Sequence, residues 1–369
     1  MKHVDIKRET LILAGAVLGM VALILVVAFA AVSYLAPAQP GPTGYTPDPE
    51  ATKAFLDTLD EPTIRDAAPE LFEQRRVAPD PEGVMLYRPF RKAFSAKYGR
   101  EWACEKQGIG DCVSWGWGHG VGFATAVEYI LGNIDEWDMP STEAIYGGSR
   151  CEARGKTFAG YSDGSYGGAA AKFVHQWGIL FRREYPFANL TTYDASRAKE
   201  WGAYGCGGKG DNGVADTEAK KFPVVRVAQV KTYAEAKASI NAGYPVPVCS
   251  MQGFASTRDA DGFARPQGTW AHCMVFIATR SDREGLLVLN SWGEKWISGG
   301  LFPPDQPAGS FWCDSQTCDR MLSGGDSFAV SAVDGFKARE IDNSSWLTEV
   351  QPRKREPERI YGPEFALAP

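Results

Sequence analysis

Leu286-Leu-Val-Leu-Asn290-Ser-Trp-Gly293 is the stretch whose reading decides the fold. Four apolar residues run into an amide, a hydroxyl, an indole and a glycine, the order of a strand that ends in a functional turn. Eighteen residues before Asn290, in Trp270-Ala-His272-Cys-Met-Val-Phe-Ile-Ala278, an apolar run is entered by one of only four histidines. A lone His entering an apolar strand is ordinarily a satisfied core residue, and it is the segment ending at Asn290 that makes His272 a candidate base. Far upstream, Gln107-Gly-Ile-Gly-Asp-Cys112-Val-Ser-Trp115 places a thiol where a helix should begin. Together the three segments supply a nucleophile, a base, an orienting amide and a candidate oxyanion donor.

A cysteine attacks as its thiolate, so it needs something that lowers its pKa, such as a helix N-terminus or an adjacent imidazolium. Cys112 has the first by position. In the order Gln, Cys, His, Asn-Ser-Trp-Gly, the segments resemble the papain-like cysteine peptidases. The resemblance covers residues 101–336, is strongest at its two ends and is weakest across 187–230. It implies Cys112 as nucleophile and His272 as base. It further implies that Asn290 accepts a hydrogen bond from the His272 ring, setting its tautomer and orientation, with Trp292 covering that bond from water. The Gln107 amide and the Cys112 N–H would hold the oxyanion.

The chain departs from the family pattern in three places. Gln107 stands five positions before Cys112, one fewer than the pattern has. Asp111 replaces a small residue; it suits a helix N-cap, yet a carboxylate there opposes thiolate formation. His272 and Asn290 follow Cys112 by 160 and 178 positions, beyond the usual spacing of about 130–150, which implies an inserted loop. Between these points, Asp163-Gly-Ser-Tyr166 aligns Gly164 and Ser165 with the glycine pair that borders the family's substrate cleft, the second substituted. Their backbone would pair with an extended peptide as an added strand. Local sequence equally suits a turn before a helix.

Outward from the motifs, a helix is expected from Cys112 to about Leu131 although Gly116, Gly118, Gly120 and Gly122 lie inside it. Each glycine costs about 1 kcal/mol against Ala, so packing must hold this helix, and close approach of neighbouring backbone is one reason to tolerate them. Further helices are expected at Gly168–Trp177 and at Tyr233–Asn241, the latter opened by the capping-box pattern Thr232-x-x-Glu235. Strand-length apolar runs follow at Pro245–Ser250, His272–Thr279, Leu286–Asn290 and Phe328–Val333. Helices first and strands later predict an α+β architecture. The resemblance implies its two lobes, one helical and one an antiparallel, barrel-like sheet.

Toward the N-terminus, no charge occurs from Thr10 to Pro47, and Leu11–Leu35 is apolar nearly throughout. At about 1.5 Å per residue such a helix crosses a hydrocarbon core of roughly 30 Å. Lys2, Lys7 and Arg8 precede it and the first positive charge after it is Lys53, which predicts a cytoplasmic N-terminus and an extracytoplasmic remainder. Ala36-Pro-Ala38 leaves signal cleavage open. The expected organisation is a tail and single-pass helix (1–36), a Pro-rich linker or spacer (37–100), a peptidase domain (101–337) and a charged tail (338–369). The spacer sits where the family carries an inhibitory pro-segment, without the long helical pattern of one. Residues 36–50 in particular read as linker, able to hold neither helix nor ladder.

A net charge of −6 gives no electrostatic case for nucleic acid. His119 and His175 fall on expected helices without a cysteine at metal-ligand spacing, and no phosphate loop or dinucleotide fingerprint stands out. No metal or cofactor is expected. Of eight cysteines, at least one besides Cys112 must be unpaired if Cys112 is free; Cys313 with Cys318 and Cys151 with Cys206 are the pairings that suggest themselves. The resemblance thus implies a thiol-dependent endopeptidase acting on polypeptides through a thioester. Its rivals are a weakly active or inactive binding scaffold of the same fold, and an acyl transferase or amidase using the same three residues.

Overall fold

The computed structural model describes residues 41–73, 83–158, 162–337 and 341. The apolar segment 11–35 and, Ile341 apart, the tail 338–369 lie outside the described residues. Among the described residues no helix is long and apolar enough to cross a membrane.

Helices come first: α1 (Pro49–Leu56), α2 (Ile64–Ala67), α3 (Tyr87–Tyr98), α4 (Cys112–Ile130), α5 (Thr142–Arg150) and α6 (Gly167–Gln176). A short hairpin of β1 (Glu184–Tyr185) and β2 (Ala188–Asn189) leads to α7 (Ala195–Tyr204) and α8 (Asn212–Ala219). Then come β3 (Arg226–Gln229), α9 (Tyr233–Asn241), β4 (Val246–Arg258), β5 (Ala264–Thr279), β6 (Gly285–Leu289), β7 (Ser298–Gly299) and β8 (Ser310–Asp314). Helix α10 (Ser315–Leu322) and β9 (Phe328–Ser331) complete the series.

The main sheet has the order β7-β4-β5-β6-β8 and is antiparallel except at β4–β7, while β3 and β9 form a separate antiparallel pair. The α+β expectation is met, but the barrel-like lobe is not: among the described residues the sheet stays open. The outer edge of β8 is taken instead by the turn between β4 and β5, where the Trp312 N–H donates to Gly262 O at 2.8 Å and Trp312 bridges Phe263. Strands β4 and β5 run past their apolar sequence runs, since register shifts beyond Ser250 twist their far ends into solvent, where polar residues suffice.

Two apolar cores flank α4. Phe123 and Val127 join the sheet-side core with Phe276, Leu287 and Phe311. Val113, Trp117 and Val121 join the helix-side core with Ile145, Ala170 and Phe173. A helix buried on nearly every side cannot be amphipathic, which is why this one is apolar around its whole circumference. Its glycines are what let it lie on β5: a Cβ at Gly116 would stand 2.7 Å from Cys273 Sγ and 2.9 Å from the Met274 carbonyl.

The linker reading of the Pro-rich lead-in does not hold for residues 41–50. Pro49 opens α1 where its missing N–H costs nothing, and Asp48 caps it through the Ala51 N–H at 3.0 Å. Farther along the expected spacer, α3 buries Tyr87 and Phe90 completely, with the Phe90 ring stacked 4.2 Å from Phe123. Neither suggested disulfide forms; all eight cysteines are buried free thiols. Cys313 and Cys318 each turn to a backbone carbonyl, those of Asp314 and Cys313.

Candidate active site

Strand β5 carries His272 opposite Ser250 of β4, and β6 pairs with β5 so that the chain leaves it at Asn290. The His272 Nε2–H donates to Asn290 Oδ1 at 2.8 Å, and the same oxygen accepts the Ser291 N–H at 2.7 Å. With the ring proton held on Nε2, Nδ1 is the basic nitrogen; it is buried and makes no hydrogen bond. The Trp292 indole lies 4.6 Å from the His272 ring and seals the pair, backed by Trp270 and Trp296. Both His272 and Asn290 are fully buried. Burial pushes His272 down to about 4, only partly opposed by the bond to Asn290.

Cys112 is the first residue of α4. The backbone of Cys273 and of Gly44 lies close enough to its sulfur to favour the thiolate, which places the thiol against β5 one residue beyond His272. It too is fully buried, and desolvation followed by the Cys273 thiol pushes it well above the ordinary thiol range. Nucleophile and base are therefore both neutral in this closed state.

Asp111 does not cap α4 with its side chain. Its carboxyl instead accepts from Trp115 Nε1 at 3.2 Å and from the Tyr193 hydroxyl at 2.9 Å. Burial raises it to about 8, and its charge is one of the influences that push the Cys112 thiol up. Tyr193 also accepts the Gly108 N–H at 3.1 Å and so braces the loop before the nucleophile from two sides. It lies in the stretch where the sequence signal is weakest, and no motif marked it.

Gln107 is buried between the two halves of the site. Its side-chain oxygen accepts from Ser291 Oγ at 2.5 Å, its backbone N–H donates to the Ser291 carbonyl at 2.8 Å, and one amide N–H bonds Ile109 O at 2.8 Å. Those bonds fix the amide and leave its second N–H for another acceptor.

Ser165 offers a strand-like edge that is already paired, whereas Gly164, at φ 110°, turns its N–H to the Tyr146 hydroxyl at 3.0 Å and its carbonyl to Arg150. Ser165 N–H donates to Gly44 O at 2.9 Å and Thr46 N–H to Ser165 O at 2.8 Å, while Gly44 and Tyr45 both donate to Ala271 O. Trp292 Nε1 donates to Pro42 O at 2.8 Å. Residues 41–46, hereafter the strap, thus run over Trp292, His272, Cys112 and Ser165 together. Sequence reading missed the strap because Gly-Pro-Thr-Gly-Tyr-Thr has no periodicity of its own; its conformation is supplied by partners far along the chain.

His119 is buried beside Glu105 at 4.0 Å, its pKa lowered by burial to about 4, and His175 lies 3.4 Å from the Val224 carbonyl. Among the described residues no group of three or more His, Cys, Asp or Glu is placed to hold a metal ion.

No protein-family model and no curated protein matches the chain. Among solved structures it is similar to xylellain, a cysteine protease from Xylella fastidiosa, at 16% identity over 79% of this chain and 92% of that one, with a TM-score of 0.47. A cathepsin B proform from Trypanosoma congolense matches at 12% identity over 79% and 86% of the two chains, TM-score 0.45. The ragweed pollen cysteine protease Amb a 11 in its proform matches at 18% over 70% and 67%, TM-score 0.43. Likenesses at such scores and identities carry no weight for function, which the side-chain geometry must supply.

Proposed function

We propose that this chain is a papain-like thiol endopeptidase whose cleft is shut by its own strap. The observation that carries the reading is the His272 Nε2–Asn290 Oδ1 bond, which leaves Nδ1 without a partner, on the strand residue next to Cys273, whose thiol acts on that of Cys112 at the start of α4. Once the strap leaves, water and substrate enter, and the imidazole and thiol regain the solvation that lets them ionise as a pair. His272 Nδ1 takes the Cys112 proton, and the thiolate attacks the scissile carbonyl. The oxyanion lies between the Cys112 N–H and the second N–H of Gln107. The imidazolium then protonates the leaving amine, and water hydrolyses the thioester with His272 again as base. Asn290 holds the ring through both proton transfers, Trp292 keeps that bond dry, and Gly164 and Ser165 align the peptide as an added strand.

The localisation that goes with this reading is a single-pass anchor at residues 11–35, with the catalytic domain (101–337) outside the cytoplasm. Full-chain protein in detergent, treated with an epoxysuccinyl thiol inhibitor and mapped by mass spectrometry, tests the chemistry. Gly44→Ala opens the strap, because a Cβ there falls on the Gly110 carbonyl. The expected result in this variant is stoichiometric labelling of Cys112 below pH 7, lost when His272→Ala is added. The shut cleft favours a second reading, a non-catalytic scaffold. That reading takes over if Cys112 in the opened, folded chain reacts no faster than an ordinary thiol.

A further inference from the structure

Three of the eight thiols meet in one place, and the ladder of β4 and β5 decides which two can join. Cys249 pairs directly with Cys273, in an unbroken run that also holds Pro247 opposite Val275. Opposed residues of an antiparallel pair either exchange both N–H···O bonds or exchange none, and the two kinds alternate along the strands. Pro247 has no N–H to donate, so its pair is of the second kind. So, therefore, is the pair two positions on, Cys249 with Cys273. Ala271 keeps the same alternation on β5, its carbonyl accepting the Gly44 and Tyr45 N–H groups of the strap. At such positions the Cα atoms stand about 4.5 Å apart and the side chains, on one face of the sheet, come closest. A disulfide spans Cα separations of about 4.4–6.8 Å, so this pair lies within its reach.

Both thiols belong to the helix-side core, as does Cys112. Cys273 Sγ sits 2.7 Å from the point that a Cβ on Gly116 would occupy, and Gly116 is one turn beyond Cys112 on the same face of α4. Cys273 is thus the middle of the three, with Cys249 across the ladder and Cys112 across the contact between helix and sheet. Its thiol is among the influences that raise both neighbours. Under oxidation a Cys273 without Cys249 would have Cys112 to join, and that bond would remove the nucleophile. Cys249 is the better-placed partner, because the ladder itself holds it opposite. Although buried in the closed chain, Cys249 forms part of the wall of a cavity of about 670 Å³, bordered also by Asp48, Thr52, Lys231 and Met251. A small reagent can approach from that side.

We propose that Cys249 and Cys273 are a redox modification site, a cross-strand dithiol that small disulfides oxidise to a disulfide, which keeps Cys273 from Cys112. The pairing stands without the peptidase reading; the importance of a free Cys112 rests on it. Cys249, as its thiolate, attacks one sulfur of the small disulfide and releases one small thiol. Cys273, as its thiolate, then attacks the Cys249 sulfur of the mixed disulfide and releases the second. The two released thiols carry off the two electrons and the two cysteine protons. Closing the bond draws the Cys273 sulfur along the sheet face toward Cys249 and away from α4. In an oxidising compartment outside the cytoplasm the bonded form is the expected one.

The test takes the full chain in detergent, both native and Gly44→Ala, reduced and then equilibrated with hydroxyethyl disulfide and mercaptoethanol at graded ratios. Remaining thiols are alkylated with iodoacetamide after unfolding, and tryptic peptides are mapped by mass spectrometry. Cleavage after Arg258 and Arg265 puts the two cysteines on separate peptides. A Cys249–Cys273 link is expected, with Cys112 recovered in alkylated form. In Cys249→Ala the same treatment should join Cys273 to Cys112, and alkylated Cys112 should be largely lost. The proposal falls if both cysteines come back as separate alkylated thiols at the most oxidising ratio, or if either is linked elsewhere. It falls too if Cys249→Ala yields as much alkylated Cys112 as the native chain, since Cys249 then protects nothing. Should Cys249→Ala fail to fold, the linkage map of the native chain decides alone. If the link forms while Cys112 in Gly44→Ala reacts no faster than an ordinary thiol, the redox site stands and the endopeptidase reading is what fails.

Discussion

The two halves of the site are built to different degrees of readiness. On the sheet side, His272, Asn290 and Trp292 are locked together, with a 2.8 Å bond fixing the tautomer and an indole over it. On the helix side, Cys112 sits at the N-terminus of α4 and is fully buried, so desolvation pushes its thiol up just as it pushes the buried His272 imidazole down. Orientation is permanent and ionisation is conditional. Positions are set by ladders and packing, whereas protonation states depend on the solvation that burial under the strap denies.

The sharpest way to break this comparison is to remove the nucleophile. With the cleft opened by Gly44→Ala, adding Cys112→Ala should lower peptide hydrolysis by at least about 10⁴-fold, measured as turnover of an unbiased peptide library. In the same background Asn290→Ala should reduce kcat by about 10–150-fold, the equivalent of a charge-assisted hydrogen bond of roughly 1.5–3 kcal/mol. A rate unchanged by that substitution would mean the sheet-side bond is architectural only. Gly44→Ala alone should raise Cys112 alkylation by about tenfold or more, the gain expected when a partly desolvated thiol regains access to water and imidazole.

Acid should act on the same latch with a definite sign. His272 is held near 4 in the closed chain against an ordinary 6.5, so across that window an opened cleft binds a proton that the closed one refuses. The contribution of His272 to the closed form is complete above about pH 6.5 and declines as pH falls toward 4. Hydrogen exchange at the Gly44 and Tyr45 amides should accelerate over that interval relative to intrinsic rates, and a flat profile would uncouple His272 from the strap. The smallest effect concerns the helix itself. Gly116→Ala would raise stability on propensity alone, but contact with Cys273 should turn the sign and lower Tm by about 2–6 °C. A rise in Tm would show that α4 and β5 are not in the close contact described.

How much of this was legible in the sequence follows from where each part gets its order. The α+β class could be read from helices preceding strands, and α9 from its capping box, because those signals are local. So too were the neighbourhood of His272, Asn290 and Trp292 and the start of α4 at Cys112, where short motifs carry the geometry with them. Asp111 was read as a cap and found instead between Trp115 and Tyr193, since a carboxyl with two buried donors within reach gains more there than at a helix end. The folded lead-in was invisible for the opposite reason. Tyr45 and Thr46 are ordered by Ala271 and Ser165, more than a hundred positions away. The open sheet likewise depends on a turn fifty positions away, Gly262 and Phe263 taking the outer edge of β8 at Trp312.

The pairing of Gln107 with Ser291, made through both side chain and backbone, has a mechanical meaning. It rivets the loop before α4 to the turn after β6 at the very level where the chemistry would occur, so the two walls cannot part there without breaking a buried double clasp. Displacing the strap would therefore uncover this level of the site without moving its two walls apart.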